Sequence, residues 1–175
     1  MTQASTATTT ASQKLTQIQG PVSTLGFKEG GEDAVNFYVS LIPNSRIISI
    51  ARSDGNNPIP KGGLLNATFE LNGREFFAFD GGPSFSFTVG FSLMVTCQTQ
   101  EEIDELWERL SDSGEKGPCG WLTDRWGVSW QIVPAVLGQM LSDSKSGNSQ
   151  KAMEAMLQMG KLDIAELERA YRSQS

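Results

Sequence analysis

No histidine occurs among the 175 residues of the chain. That absence removes the commonest general base, the imidazole of nucleophilic triads and the usual nitrogen ligand of zinc and non-haem iron. It also removes the one side chain that ordinarily titrates near neutral pH. Any chemistry must run on Asp, Glu, Cys, Lys, Tyr or backbone dipoles. Cysteine is scarce: Cys97 and Cys119 form no Cys-x-x-Cys pair, which predicts two free thiols in a cytosolic protein. Basic residues are outnumbered, 14 Lys+Arg against 20 Asp+Glu, for a net charge of −6. Nucleic acid and anionic membrane are therefore excluded as main partners, because both need clustered cations. No apolar run approaches a membrane span. The N-terminus lacks a basic segment followed by an apolar one, and the first arginine is Arg46. This predicts no secretory or transit leader and a cytoplasmic location.

What is present fits one ordinary domain with polar ends. Residues 1–17, mostly Thr, Ser, Ala and Gln, read as a disordered tail. Ser142–Ser149 reads as a linker, so residues 142–175 form a C-terminal helical extension to a domain at 18–141. Within that domain a rhythm repeats. A strand is predicted over Ile18–Phe27. A helix follows Gly30-Gly31, with Glu32 and Asp33 in its first turn and an apolar stripe of Ala34, Val35, Tyr38, Leu41 and Ile42. Strands follow at Arg46–Ala51, Gly63–Leu71 and Arg74–Asp80. The last two are joined by Asn72-Gly73, the strongest short hairpin signal. The pattern restarts with a strand at Val89–Cys97. The capping box Thr99-Gln100-Glu101-Glu102 then opens a helix burying Ile103, Leu106, Trp107 and Leu110. Short strands are predicted at Trp121–Thr123 and Ser129–Val133. Modules at about 18–83 and 87–134 thus make an α+β fold. Three helical pieces close the chain: Ala135–Leu141, Gln150–Met159 and Ile164–Tyr171, the last capped by Asp163. Met153, Met156 and Leu157 fall on one side, which predicts a packing or dimer face.

The hairpin fixes its own register. With Asn72-Gly73 at the turn, Leu71 faces Arg74, Glu70 faces Glu75 and Phe69 faces Phe76. Leu65, Ala67, Phe69, Phe76 and Ala78 then share an apolar face under the helices. Asn66, Thr68, Glu70, Phe77 and Phe79 share the other, and a mixed aromatic and polar face suits a small-molecule pocket. In the fifth strand Phe91, Leu93, Val95 and Cys97 alternate with Gly90, Ser92, Met94 and Thr96. The first set is expected in the core, with Cys97 inert, and the second facing the cavity. Ser129 and Gln131 face the same way, and Trp121 can stack a planar ligand. Asp80 and Glu70 are candidate acid/base groups, with the Gln131 amide as a polarising partner. Cys119, in Gly117-Pro118-Cys119-Gly120, lies in a turn near the expected pocket rim.

Several of these stretches resemble a known superfamily. They are Glu32-Asp33-Ala34-Val35-Asn36-Phe37-Tyr38 with Leu41-Ile42-Pro43-Asn44-Ser45, then Phe79-Asp80-Gly81-Gly82-Pro83 and Thr99–Asp104. Cys119–Pro134, and Ala155–Met159 with Lys161–Ile164, complete the set. Together they resemble the vicinal oxygen chelate proteins (glyoxalase I, extradiol dioxygenases, bleomycin-resistance proteins), in the PhnB-like, demethylubiquinone 3-methyltransferase-like branch. The likeness runs over roughly residues 18 to 171. It implies paired βαβββ modules forming an open, eight-stranded, U-shaped sheet with the ligand in its concave face, and a homodimer. It also implies a divalent metal held by His and Glu. Those ligand positions fall near Ser23, near Phe76 or Phe77, near Gly90 and at Gln131, none of them an imidazole or carboxylate. The expectation is no metal and no cofactor. Gly81-Gly82-Pro83 follows a hairpin strand and is not a Gly-x-Gly-x-x-Gly turn, which speaks against a dinucleotide-type or S-adenosylmethionine site of the usual kind.

The resulting expectation is a metal-independent protein binding a small planar or hydrophobic molecule. Its pocket is expected to include Ser23, Asn66, Thr68, Phe77, Phe79, Gly90, Ser92, Met94, Trp121 and Ser129. The alternatives are a metal-free isomerase, cyclase or lyase using Asp80, Glu70 and Gln131, a methyltransferase as the family label suggests, or a non-catalytic dimerisation module.

Overall fold

The computed structural model describes residues 20–143 and 148–173. The predicted tail, the first two residues of the first predicted strand and the centre of the predicted linker lie outside the described residues.

The first module runs β1 (Ser23–Phe27), α1 (Gly31–Leu41), β2 (Arg46–Arg52), β3 (Leu64–Leu71) and β4 (Arg74–Asp80). The second repeats the order as β5 (Ser92–Cys97), α2 (Gln100–Leu110), β6 (Glu115–Lys116), β7 (Trp121–Thr123) and β8 (Ser129–Pro134). Each module makes one open four-stranded mixed sheet, ordered β1-β4-β3-β2 and β5-β8-β7-β6. In both, the first strand pairs parallel with the last and the remaining pairs are antiparallel. The fold is α+β, and the eight strands stand as two ladders with β1 and β5 each at an edge.

Local chemistry explains most boundaries. Asn72 and Gly73 both have positive φ, at 47° and 74°, as a tight two-residue hairpin turn requires. The β3–β4 register is the predicted one, Leu71 to Arg74 and Phe69 to Phe76. The Thr99 hydroxyl accepts from Glu102 N, and the Glu102 carboxylate accepts from Thr99 N, closing the capping box. Gly30, in the left-handed region at φ 75°, lets the chain turn into α1.

α1 lays Ala34, Val35, Tyr38 and Leu41 on the first sheet, and α2 lays Ile103, Leu106, Trp107 and Leu110 on the second. Both sets belong to one core, which includes Leu25, Phe27, Phe69, Phe76, Trp130 and Ile132. Burying each such large side chain contributes about 1.5–3 kcal/mol.

Three differences from the sequence expectations have physical causes. Leu65 is exposed while Leu64 is buried. An irregularity after Ala51 pairs Asn66 with Ala51 and Leu64 with Arg52, leaving Leu65 between them. The fifth strand starts at Ser92, because Phe91 N bonds Thr88 O in a turn. Phe91 is accordingly exposed rather than in the core. The two-residue strand β6 carries only Glu115 and Lys116, with no periodicity to reveal it.

The C-terminal helices are α3 (Ala135–Ser142), α4 (Ser149–Leu157) and α5 (Ile164–Arg172), with the Asp163 carboxylate accepting from Glu166 N at 2.8 Å. They bury a second cluster of Leu137, Met140, Ala152, Leu162 and Leu167. Met156 and Met159 pack against it, whereas Met153 and Leu157 are exposed. This unit docks on the second module through the backbone. Cys119 N donates to Met159 O and Gly120 N to Gly160 O, both at 2.7 Å. The Gln100 amide clamps the same junction, donating to Leu162 O at 3.1 Å and accepting from Ile164 N at 2.9 Å. Among the described residues, no helix is long and apolar enough to cross a membrane.

Candidate functional site

Strand alternation gives each sheet one helix-covered face and one open face. On the first sheet, a row of directly paired residues crosses all four strands: Thr24, Phe77, Thr68 and Ser49. The next residues along the open face are Gly26 and Phe79, paired with each other, and Asn66 on β3. Asn66, Thr68, Phe77 and Phe79 are all half-buried. The Phe77 and Phe79 rings lie 6.5 Å apart.

On the second sheet the corresponding rows are Met94–Gln131–Trp121 and Ser92–Ser129–Thr123. Gln131 Nε2 donates to the Ser92 hydroxyl at 2.8 Å. Ser129 is buried, Trp121 half-buried and Met94 64% exposed. Trp121 and Ser129 share a cavity of about 170 Å³ with Val89, Gly117, Pro118 and Thr123. A larger hollow of about 210 Å³ opens elsewhere, between the C-terminal end of α1, β5 and α2, and none of the predicted site residues lines it. Both are smaller than the roughly 300 Å³ at which ligand pockets usually begin.

Three predicted site residues stand elsewhere than expected, and a fourth, Glu70, is on the expected face but ion-paired. Ser23 pairs with Phe76 and shares the side of Leu25 and Phe27, so Thr24 is the open-face residue of β1. Gly90 is exposed in the turn before β5 and is not a strand residue. Asp80 lies on the helix side with Phe76 and Ala78. Its two oxygens accept from Gly31 N at 2.8 Å and Leu64 N at 3.0 Å, bracketing the start of α1 to the start of β3. Glu70 is on the open face but at its rim, where Arg46 binds it bidentately at 2.8 and 3.0 Å. That hydrogen bonding holds the Glu70 carboxyl below its ordinary range, so it is a poor proton donor at neutral pH.

The four chelate positions can be tested by their donor chemistry. The open-face residues there are Thr24, Phe77, Ser92 or Met94, and Gln131. They supply neutral oxygens and at most one thioether sulfur, whereas hard cations want several oxygens, mostly anionic, and softer ones want several N or S donors. These residues do not fit a divalent metal. Among the described residues, no three His, Cys, Asp or Glu side chains gather as a metal site would need.

Phe85 escapes the sequence reading. It sits in the loop after β4, with its N–H bonded to Gly82 O, and its ring leans edge-on to Phe79 at 5.1 Å and 84°. No strand periodicity covers this loop. The only local signal is the alternation Phe85-Ser86-Phe87, in which Phe87 packs on Phe27 at 5.3 Å in the core. Cys97 is buried as expected, and burial pushes its thiol up to about 11. Cys119 is half-buried beside the C-terminal unit, with φ 56°.

A family model described as 3-demethylubiquinone-9 3-methyltransferase matches residues 19–133. The PhnB protein of Bacillus cereus, which carries that methyltransferase name, is 41% identical. The likeness covers 67% of this chain and 100% of that one, with a TM-score of 0.62. A structure from Pseudomonas aeruginosa is 20% identical over 67% of this chain and 98% of its own, with a TM-score of 0.56. The fosfomycin resistance protein FosX of Listeria monocytogenes, solved with Mn(II) and sulfate, is 18% identical over 72% and 100%, at 0.51. The last two likenesses are of fold alone. No curated protein matches the sequence.

Proposed function

Because this chain belongs to the PhnB-like 3-demethylubiquinone-9 3-methyltransferase family, we propose that it binds a small, planar or hydrophobic organic molecule on its open sheet faces without the help of a metal. The observation that carries this reading is the row Thr24–Phe77–Thr68. It sets an aromatic ring between two neutral hydroxyls, with Phe79 and Asn66 beside it. An apolar surface with a few placed polar groups is the usual make-up of a small-molecule site. Gln131 and Ser92 contribute a second neutral donor–acceptor pair on the other sheet.

A second copy of the chain completes the pocket. Among the described residues, no strand lies beyond β1 or β5 at the edges of their sheets, and such edges call for a partner or a cover. Met94 stands 64% exposed on the open face of β5. The hydrogen bond from Tyr38 to Asp124 links the modules on the helix side instead. A homodimer that sets one open face against another would enclose the volume that neither single-chain cavity reaches.

An acid/base enzyme is the less favoured reading, since Asp80 is a structural bracket, Glu70 is ion-paired at the rim, and Gln131 has no ionisable group. The methyltransferase name meets a similar difficulty. Gly81-Gly82 leads into the Phe85 loop, not into a helix that could receive a cofactor phosphate or carboxylate.

The test uses tag-free protein. Planar apolar compounds should raise the melting temperature, by about 2.7 kcal/mol of stabilisation at a hundredfold excess over Kd, and chelators should leave that effect unchanged. Sedimentation velocity should give twice the chain mass. One tightly bound transition metal per chain, measured by elemental mass spectrometry, would overturn the metal-free reading.

A further inference from the structure

The Phe85 ring rests on two positions that have no side chain. A Cβ built on Gly26 would stand 2.6 and 2.9 Å from one edge of the ring (Cδ1 and Cε1). A Cβ on Gly81 would stand 2.3 and 2.5 Å from the other edge (Cδ2 and Cε2). Real Cβ atoms do not approach this closely, so the seat exists only while both residues are glycine. Gly26 is on β1, directly paired with Phe79, and Gly81 follows β4, its N–H bonded to Phe27 O at 2.7 Å. The two glycines therefore form a platform at one end of the open face of the first sheet. The seated ring is not sealed into a core: Phe85 remains 40% exposed. It stands at 84° to Phe79, with centroids 5.1 Å apart.

Two rings at right angles make a corner. A flat ring entering it can stack on one wall while meeting the edge of the other, and both arrangements are preferred aromatic geometries. The groups beside the corner, Thr24, Thr68 and Asn66, are uncharged. We infer that Phe85 is a specificity-determining residue: its ring and that of Phe79 form an aromatic corner that selects ligands carrying a flat, uncharged ring. This rests on the proposed pocket on the first sheet and adds a loop residue to it.

The experiment compares 1-naphthol with decahydro-1-naphthol, similar in size but saturated and not flat, and with 1-naphthalenesulfonate, flat but anionic. Binding is measured by calorimetry on wild-type protein and on Phe85→Ala, Phe85→Leu and Phe77→Ala, with thermal unfolding of each variant confirming the fold. Phe85→Leu keeps apolar bulk and removes only the flat ring. The expected result is preferential binding of 1-naphthol to wild type, weakened about three- to tenfold by either Phe85 substitution, the size of an aromatic pair. Both substitutions should leave decahydro-1-naphthol nearly unaffected. Unchanged 1-naphthol affinity in Phe85→Leu and Phe85→Ala, with a loss in Phe77→Ala, would overturn the role of Phe85 and leave the pocket standing. Preference for the sulfonate would overturn the uncharged class. Failure of all three probes to bind wild type would overturn the pocket reading and this one with it.

Discussion

The Tyr38 hydroxyl donates to Asp124 Oδ2 at 2.6 Å, joining α1 of the first module to the β7–β8 turn of the second. Both residues are buried. Trp130 Nε1 donates to the same oxygen at 2.8 Å, while Trp126 N and Val128 N donate to Oδ1 at 2.9 and 3.0 Å. The Tyr38 ring meets Trp130 at 5.1 Å and Trp126 at 5.6 Å, edge-on in both cases. One carboxylate thus accepts four hydrogen bonds and anchors the seam between modules. Burial raises the Asp124 carboxyl above its ordinary value, against the pull of those bonds. Burial, and then the Asp124 charge, raise the Tyr38 phenol well above its own.

Removing the hydroxyl with Tyr38→Phe should destabilise the protein by about 1.5–3 kcal/mol, the range for a hydrogen bond to a charged group. Urea unfolding reads this directly. The pH dependence has a definite sign. The folded phenol titrates above its ordinary 10.0, so its contribution is complete below pH 10 and is lost as pH rises through the folded value. The stability difference between wild type and Tyr38→Phe should be level up to that pH and shrink beyond it. A difference that grows above pH 10 would refute the assignment.

Asp80→Ala should destabilise by about 2–3 kcal/mol, because two buried amides, Gly31 N and Leu64 N, lose their acceptor. Binding of a planar ligand by the folded fraction should be retained. Loss of binding in a variant that unfolds like wild type would return Asp80 to the list of functional groups.

The C-terminal unit should loosen when its clamp is cut. Gln100→Ala deletes both bonds to Leu162 and Ile164. Gly120→Ala forces a Cβ to within 2.6 Å of Ile132 O at a residue with φ +79°. Each should raise amide exchange in α4 and α5 while leaving α1 protected. Equal acceleration in both regions would mean that the unit is not separately docked.

The two cysteines should differ sharply toward iodoacetamide at pH 8. Cys97 is 2% exposed and its thiol is pushed up to about 11, so little thiolate forms and access is closed. Intact-mass measurement of the native protein should find one adduct, on Cys119. Modification of Cys97 at a comparable rate would show that β5 opens.

Much of the fold could be read locally. Asn72-Gly73 determined the hairpin register, and Thr99 with Glu102 placed the start of α2, because both signals act within a few residues. The open face of the hairpin followed from that register. What escaped depends on the other strands or on distant backbone. Leu65 is turned out by an irregularity across from β2, and Asp80 is claimed by amides 49 and 16 residues away. Thr24, not Ser23, enters the open face because the parallel β1–β4 pairing fixes its side. Phe85 depends on two glycines from separate stretches meeting under one ring. No periodicity announces such a meeting.

The rows from Thr24 to Ser49 and from Met94 to Trp121 contain no ionisable side chain. A ligand resting there would touch no charge that appears or vanishes over physiological pH, and the nearby charges of Glu70 and Arg46 on that face are paired with each other. Occupancy would then follow concentration and temperature, staying level through acidification or a rise in salinity. A protein built this way would give its cell a ligand reservoir that does not register either change.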